Sequence, residues 1–133
     1  LVLVPELTSI ADGYGLLKQI VTANRSIACS LVINRTSGEE EAEFIRSRMN
    51  EMTQQFLGVT PGYAGFVAED RTVRRAVAAQ QTLALIAPES VACAQFARLA
   101  QAVTTLNPNL FADSREVPMT QINKTAATAD IRG

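Results

Sequence analysis

Histidine and tryptophan are missing from this 133-residue chain, and it carries only two cysteines, Cys29 and Cys93. Without histidine there is no Ser-His or Cys-His catalytic pair, no zinc site of the usual kind and no haem held by an imidazole. Both cysteines sit in apolar surroundings in a chain without a secretory leader, so they read as reduced, buried thiols rather than a disulfide. An excess of positive charge is lacking as well. Twelve basic residues against 13 acidic ones leave a net charge of −1, too weak a field to hold phosphate backbones, so no nucleic-acid binding is expected of this chain alone. Long apolar runs are also absent: the longest, near residues 27–33, is about a third of the ~20 residues a bilayer span needs. The expected location is therefore cytoplasmic. No GxxxxGK(S/T) and no GxGxxG string occurs, so the glycine-rich nest that cradles phosphates is not encoded.

What is present suits one folded domain. Forty-seven per cent of the residues are apolar and 19% are charged, a balance that fills a core and argues against wholesale disorder. The chain opens on an apolar run, residues 1–4, with no polar lead-in. Such a run reads as a buried strand whose sheet extends further, with the remainder expected upstream of Leu1. Pro5, Thr8 and Ser9 then supply a breaker and hydroxyl caps, and Ile10, Tyr14, Leu17 and Val21 follow at helical spacing. Residues 27–34 lack polar alternation and read as a central parallel strand. A second helix leads with Glu39, Glu40, Glu41 and Glu43, trails Arg46 and Arg48, and carries the stripe Ala42, Ile45, Met49, Met52 and Phe56. Its acids read as a solvated face.

Residues 63–67 suit a third strand, followed by a helix from about Asp70 with Val73, Ala76 and Val77 inward. Residues 82–86 read as a further short extended segment, and Pro88 and Ser90 open a last helix with Ala92, Phe96, Leu99 and Val103 on its inner face. Strands alternating with helices predict an α/β fold, a mainly parallel sheet with flanking helices. From residue 107 the periodicity stops, so residues 107–133 read as a flexible tail with no basic amphipathic stripe and hence no direct membrane anchor. Gly13 and Gly15 fall inside a helical pattern and are not a phosphate loop, and Lys18 reads as a solvated surface residue.

In an open α/β sheet ligands bind at the carboxyl ends of the strands, which directs attention to residues 5–9, 34–38 and 68–71. Asn34 is the most informative, because its amide both donates and accepts, the pairing an adenine edge requires. The stretch Pro5-Glu6-Leu7-Thr8-Ser9-Ile10-Ala11-Asp12-Gly13-Tyr14, running into Leu16-Leu17-Lys18, resembles the P-E-x-T-S-x-x-D-A-Y-x-L-x-K segment of MinD/ParA-type ATPases. Among these it is most similar to the flagellar-number regulators of the FlhG, FleN and YlxH type. Asn34-Arg35, Phe56-Leu57, the string from Val67-Ala68-Glu69-Asp70 to Val77, and Ala87-Pro88-Glu89-Ser90 follow in that family's order.

The resemblance implies a partial P-loop NTPase fold, with residues 1–106 as the carboxyl-terminal half of the ATPase domain. It implies ATP or ADP as ligand, with the phosphate loop and the magnesium ligands belonging to an upstream half, so that this chain alone should not hydrolyse ATP. Asn34 matches the residue that reads the base, with Arg35 beside it, and Val67, Ala68, Glu69 and Asp70 match the loop flanking the base. The family usually has proline where Ala68 stands. Glu6, Ser9 and Asp12 match a surface that borders an ATP-dependent homodimer face and regulatory partners, through which the protein would reach the inner membrane or cell pole. The alternative is an interaction module that keeps the fold and binds no nucleotide. An open strand at residues 1–4 would also favour pairing with a second copy.

Overall fold

A computed structural model describes residues 1–106; the tail predicted at residues 107–133 lies outside the described residues. Leu1–Val103 form one compact unit, and of the second, Thr104–Gly133, only the end of a helix is described. The elements run β1 (Val2–Leu3), α1 (Leu7–Ala23), β2 (Ser30–Thr36), α2 (Glu39–Leu57), β3 (Gly62–Ala68), α3 (Arg71–Ala78), α4 (Leu83–Ile86) and α5 (Val91–Leu106). Among the described residues the three strands are parallel, in the order β1-β2-β3. This is the predicted α/β arrangement, with β2 central as its unbroken apolar character requires.

The core joins Leu3 of β1 and Leu31 and Ile33 of β2 to Ala42, Ile45 and Met49 of α2. Ile10 and Tyr14 of α1 and Tyr63 and Phe66 of β3 pack against its margin. Helix α1 approaches β1 closely at the buried Gly13, where an added Cβ would meet the end of the Leu3 side chain and force it to move. Helix α2 begins with Glu39, Glu40 and Glu41 at its positive end, and Glu41 reaches back to accept from the Ser37 N–H. It stops at Gly58, whose left-handed backbone (φ 66°) turns its N–H onto the Gln54 carbonyl.

Several local expectations change. Residues 82–86 are not extended: Leu83–Ile86 form a single helical turn, with the Thr82 carbonyl accepting from the Leu85 and Ile86 N–H groups. Leucine and alanine favour helix intrinsically, and the β3 edge where another strand would pair is partly occupied, because Gln95 of α5 takes the Ala68 N–H there. Strand β2 starts at Ser30 rather than residue 27; Ile27 belongs to a turn closed by its N–H to the Asn24 carbonyl and is half exposed. At its other end β2 continues past Asn34 to Thr36.

Strand β1 has two residues and lies at the edge of the described sheet, with Leu3 buried and Val2 62% exposed. Its Val2 side chain faces outward because strand side chains alternate. The hydroxyls of Thr8 and Ser9 do not cap α1, which starts earlier, with Glu6 at the cap position and no side-chain cap. Phe56, Val77, Phe96 and Val103, all predicted inward, are exposed, and Thr53 takes the buried place on α2. Phe56, Val77 and Val103 lie toward the ends of their helices, away from the sheet, whereas Phe96 stands inside α5. Cys29 and Cys93 are free thiols, half-buried rather than fully buried.

Candidate functional site

The carboxyl end of β2 departs from regular strand geometry. Asn34 pairs with Val67 and Thr36 with Ala68, so Arg35 is an extra residue in the ladder, a β-bulge, and its φ of 60° is left-handed. Bulges re-aim side chains and are frequent beside functional sites, and a non-glycine residue at positive φ stores strain that the surroundings must hold. Two contacts hold it here. The Arg35 N–H donates to Asn34 Oδ1 at 3.0 Å, and the Arg35 Nε donates to Glu69 Oε2 at 3.0 Å. Glu69 is shared: Arg74 Nε lies 3.6 Å from its other oxygen. With these side chains 38–70% exposed, each pair contributes under about 1 kcal/mol.

Across from this bulge, β3 ends in Val67, Ala68 and Glu69, and Asp70 starts α3. Asp70 is the N-cap: its Oδ1 accepts from the Thr72 N–H at 2.8 Å and the Thr72 hydroxyl at 2.7 Å, and its Oδ2 from the Ala92 N–H of α5 at 3.4 Å. The bond from the Thr72 hydroxyl, with those from the main chain, holds the Asp70 carboxyl below the usual aspartate range. The side chain of Asp70 thus ties α3 to the start of α5 and leaves little to offer a ligand. Ala68 donates its N–H to Gln95 Oε1 at 2.9 Å, a bond that proline at this position could not make.

Between these elements lies a cavity of about 220 Å³. Its walls are Asn34 and Arg35 from the end of β2, Val67, Ala68 and Glu69 from β3, Asp70, Val73 and Arg74 from α3, and Phe96 from α5. All six residues predicted to surround a base therefore line one cavity. Val73, Arg74 and Phe96 were not predicted. Arg74 had a signal, since it follows the Asp70 cap by four residues and so shares its helix face; Phe96 was assigned to the core by its spacing alone. Sites that enclose a whole drug-sized ligand measure roughly 300–1,000 Å³, so this one suits a single ring system. Its ionisable side chains are paired or capped, and it offers apolar walls, an aromatic ring and the Asn34 amide.

The other predicted group sits elsewhere. Ser9 and Asp12 line a shallow cavity with Leu1, Val2, Leu3, Thr8, Gly13 and Leu16, beside the β1 edge. Glu6, exposed at the start of α1, is outside it. The Ser9 hydroxyl accepts from the Val4 N–H at 3.1 Å and so holds the β1–α1 turn. Among the described residues no helix is long and apolar enough to cross a membrane.

No protein-family model matches this chain. It is similar to the antiactivator FleN of Pseudomonas aeruginosa, with 30% identity over 103 residues. That stretch covers 77% of this chain and 37% of the relative, so the chain spans little more than a third of the protein it matches. The similarity supports a relationship to FleN/FlhG-like proteins of the MinD/ParA kind.

Proposed function

We propose that this chain forms the base-side wall of an adenine-nucleotide site, ATP or ADP, in a FleN/FlhG-like switch of the MinD/ParA kind that regulates flagellar number or placement. The observation that carries the reading is the cavity in which Asn34, Arg35 and residues 67–70 meet. Asn34 is half-buried at its mouth with Oδ1 bonded to the Arg35 N–H, and among the described residues nothing bonds its Nδ2. Val67, Val73 and Phe96 supply apolar and aromatic surface for the faces of a ring. Phosphates and their magnesium fall to groups other than those of this chain, whose sequence holds no phosphate loop. Hydrolysis depends on cations and backbone donors around the transferred phosphate, so this chain alone does not turn over ATP. Glu6 and Asp12, exposed on the β1 side, would face a second copy or a regulatory protein, with Ser9 holding the turn beside them.

Titration of isotope-labelled protein with millimolar adenosine tests the reading. Amide shifts are expected at Asn34, Arg35, residues 67–70 and Phe96, with affinity about tenfold weaker in Asn34→Ala, the loss expected for one bidentate amide–base pair. Shifts elsewhere, or none, would count against a base site and favour an interaction module without nucleotide. Measured ATP turnover by this chain that disappears in Asn34→Ala would refute the division of labour.

A further inference from the structure

An asparagine amide is ambiguous as a reader of bases, because turning it over exchanges donor and acceptor. On the Watson–Crick edge, Oδ1 toward the exocyclic amine and Nδ2 toward N1 complements adenine; turned over, Oδ1 accepts from the N1–H of guanine and Nδ2 donates to its six-oxo group. Something must therefore fix the amide if the cavity is to discriminate. The bulge does this. Arg35 lies outside the β2–β3 ladder, and the Asn34–Arg35 peptide turns its N–H onto Asn34 Oδ1 at 3.0 Å. The overturned amide would set its own N–H groups against that donor. The positive φ of Arg35 and the outward turn of this peptide are two aspects of one rotation, and Thr36 then rejoins the ladder opposite Ala68. Oδ1 keeps a second lone pair for the ligand.

We propose that Arg35 is a positioning residue that sets base preference: its left-handed backbone, rather than its charge, locks Asn34 in the orientation that selects a six-amino purine. This deepens the adenine-site reading and rests on it. The side chain has a separate task, its bond to Glu69, so backbone and charge can be separated. Glycine adopts φ near 60° freely, whereas valine strongly disfavours it. Arg35→Gly keeps the locking peptide and loses the ion pair; Arg35→Val keeps neither.

The test is the ratio of adenosine to guanosine affinity, from NMR titration of the intact chain and its variants. The ratio is independent of any general loss of stability. Wild type is expected to favour adenosine about tenfold, in line with one bidentate amide contact. Arg35→Gly should hold that ratio within about twofold, and Arg35→Val should lower it to near one. Asn34→Asp, which still accepts from the Arg35 N–H but presents a second acceptor, should turn the preference to guanosine, and Arg35→Ala, less strained at positive φ than valine, takes the place of Arg35→Val if that variant does not fold. A wild-type ratio in Arg35→Val, a lost preference in Arg35→Gly, or adenosine preference surviving in Asn34→Asp overturns the assignment of Arg35 while leaving a base site intact. Wild type that binds neither nucleoside in the cavity overturns both.

Discussion

The ends of β1 and β2 are neighbouring strand exits with similar polar sequences, and they use their side chains in opposite ways. After β1, Ser9 turns back to the Val4 N–H, Gly13 admits Leu3, and polar and apolar groups alike serve the joint between strand and helix. After β2, Asn34 also accepts a main-chain N–H, but a bulge turns it toward a cavity with its amide donors unbonded among the described residues. A polar residue at a strand exit is thus a ligand candidate only if the local backbone leaves it hydrogen-bonding capacity. A serine that spends its oxygen on the chain is a structural part, whatever motif it belongs to.

This contrast can be broken most strongly at Gly13. Gly13→Val would force a side chain into Leu3 and should cost about 1–3 kcal/mol, as overpacked cores do, read as a lower denaturation midpoint. Adenosine-induced shifts at Asn34 should remain in the folded fraction. Loss of those shifts at equal folded population would show that the two exits are not independent.

Gln95→Leu comes next, on the cavity side. It leaves the Ala68 N–H without its acceptor and should cost about 1 kcal/mol. Adding Ala68→Pro removes the stranded donor, so the double variant should recover part of that loss in chemical denaturation. A double variant no more stable than Gln95→Leu would mean that the bond is not what Gln95 contributes.

The third test is acid. Asp70 has a folded pKa below its unfolded one, so its stabilisation is fully present above the usual aspartate value of about 3.9 and is lost as pH falls through the lower, folded value. Asn caps helices about as well as Asp but carries no charge, so the gap between Asp70→Asn and wild type at neutral pH should close as pH falls through the folded Asp70 value. A gap that widens in acid would reverse the assigned sign. The smallest effect is expected from Glu69→Gln, which removes both arginine pairs. Its stability cost should stay under about 1 kcal/mol and shrink in high salt.

Much of the architecture was legible from residue order. The unbroken apolar character of residues 27–34 identified the central strand, the periodic stripe of Ala42, Ile45 and Met49 identified the face of α2, and Ser90 announced α5. The start of β2 was misplaced because Ile27 is as apolar as its neighbours, and only the turn to Asn24 removes it from the sheet. Residues 82–86 were ambiguous for a similar reason: four apolar residues have no resolvable period, and length and pairing decide between helix and strand.

By itself the sequence determined the layering, since hydrophobic periodicity is a local property that fixes which face each element must bury. It also nominated Asn34 and the exits at residues 34–38 and 68–71, because strand exits follow from where apolar runs stop, whereas the assignment of Arg35 and residues 67–70 to a base came from the family resemblance. Only the tertiary structure brought Val73, Arg74 and Phe96 to the same cavity, spent Asp70 on a cap and Ser9 on a turn, and gave Arg35 a left-handed backbone. Those outcomes depend on which hydrogen-bonding groups find partners across distant segments, and residue type leaves that open until the chain has packed.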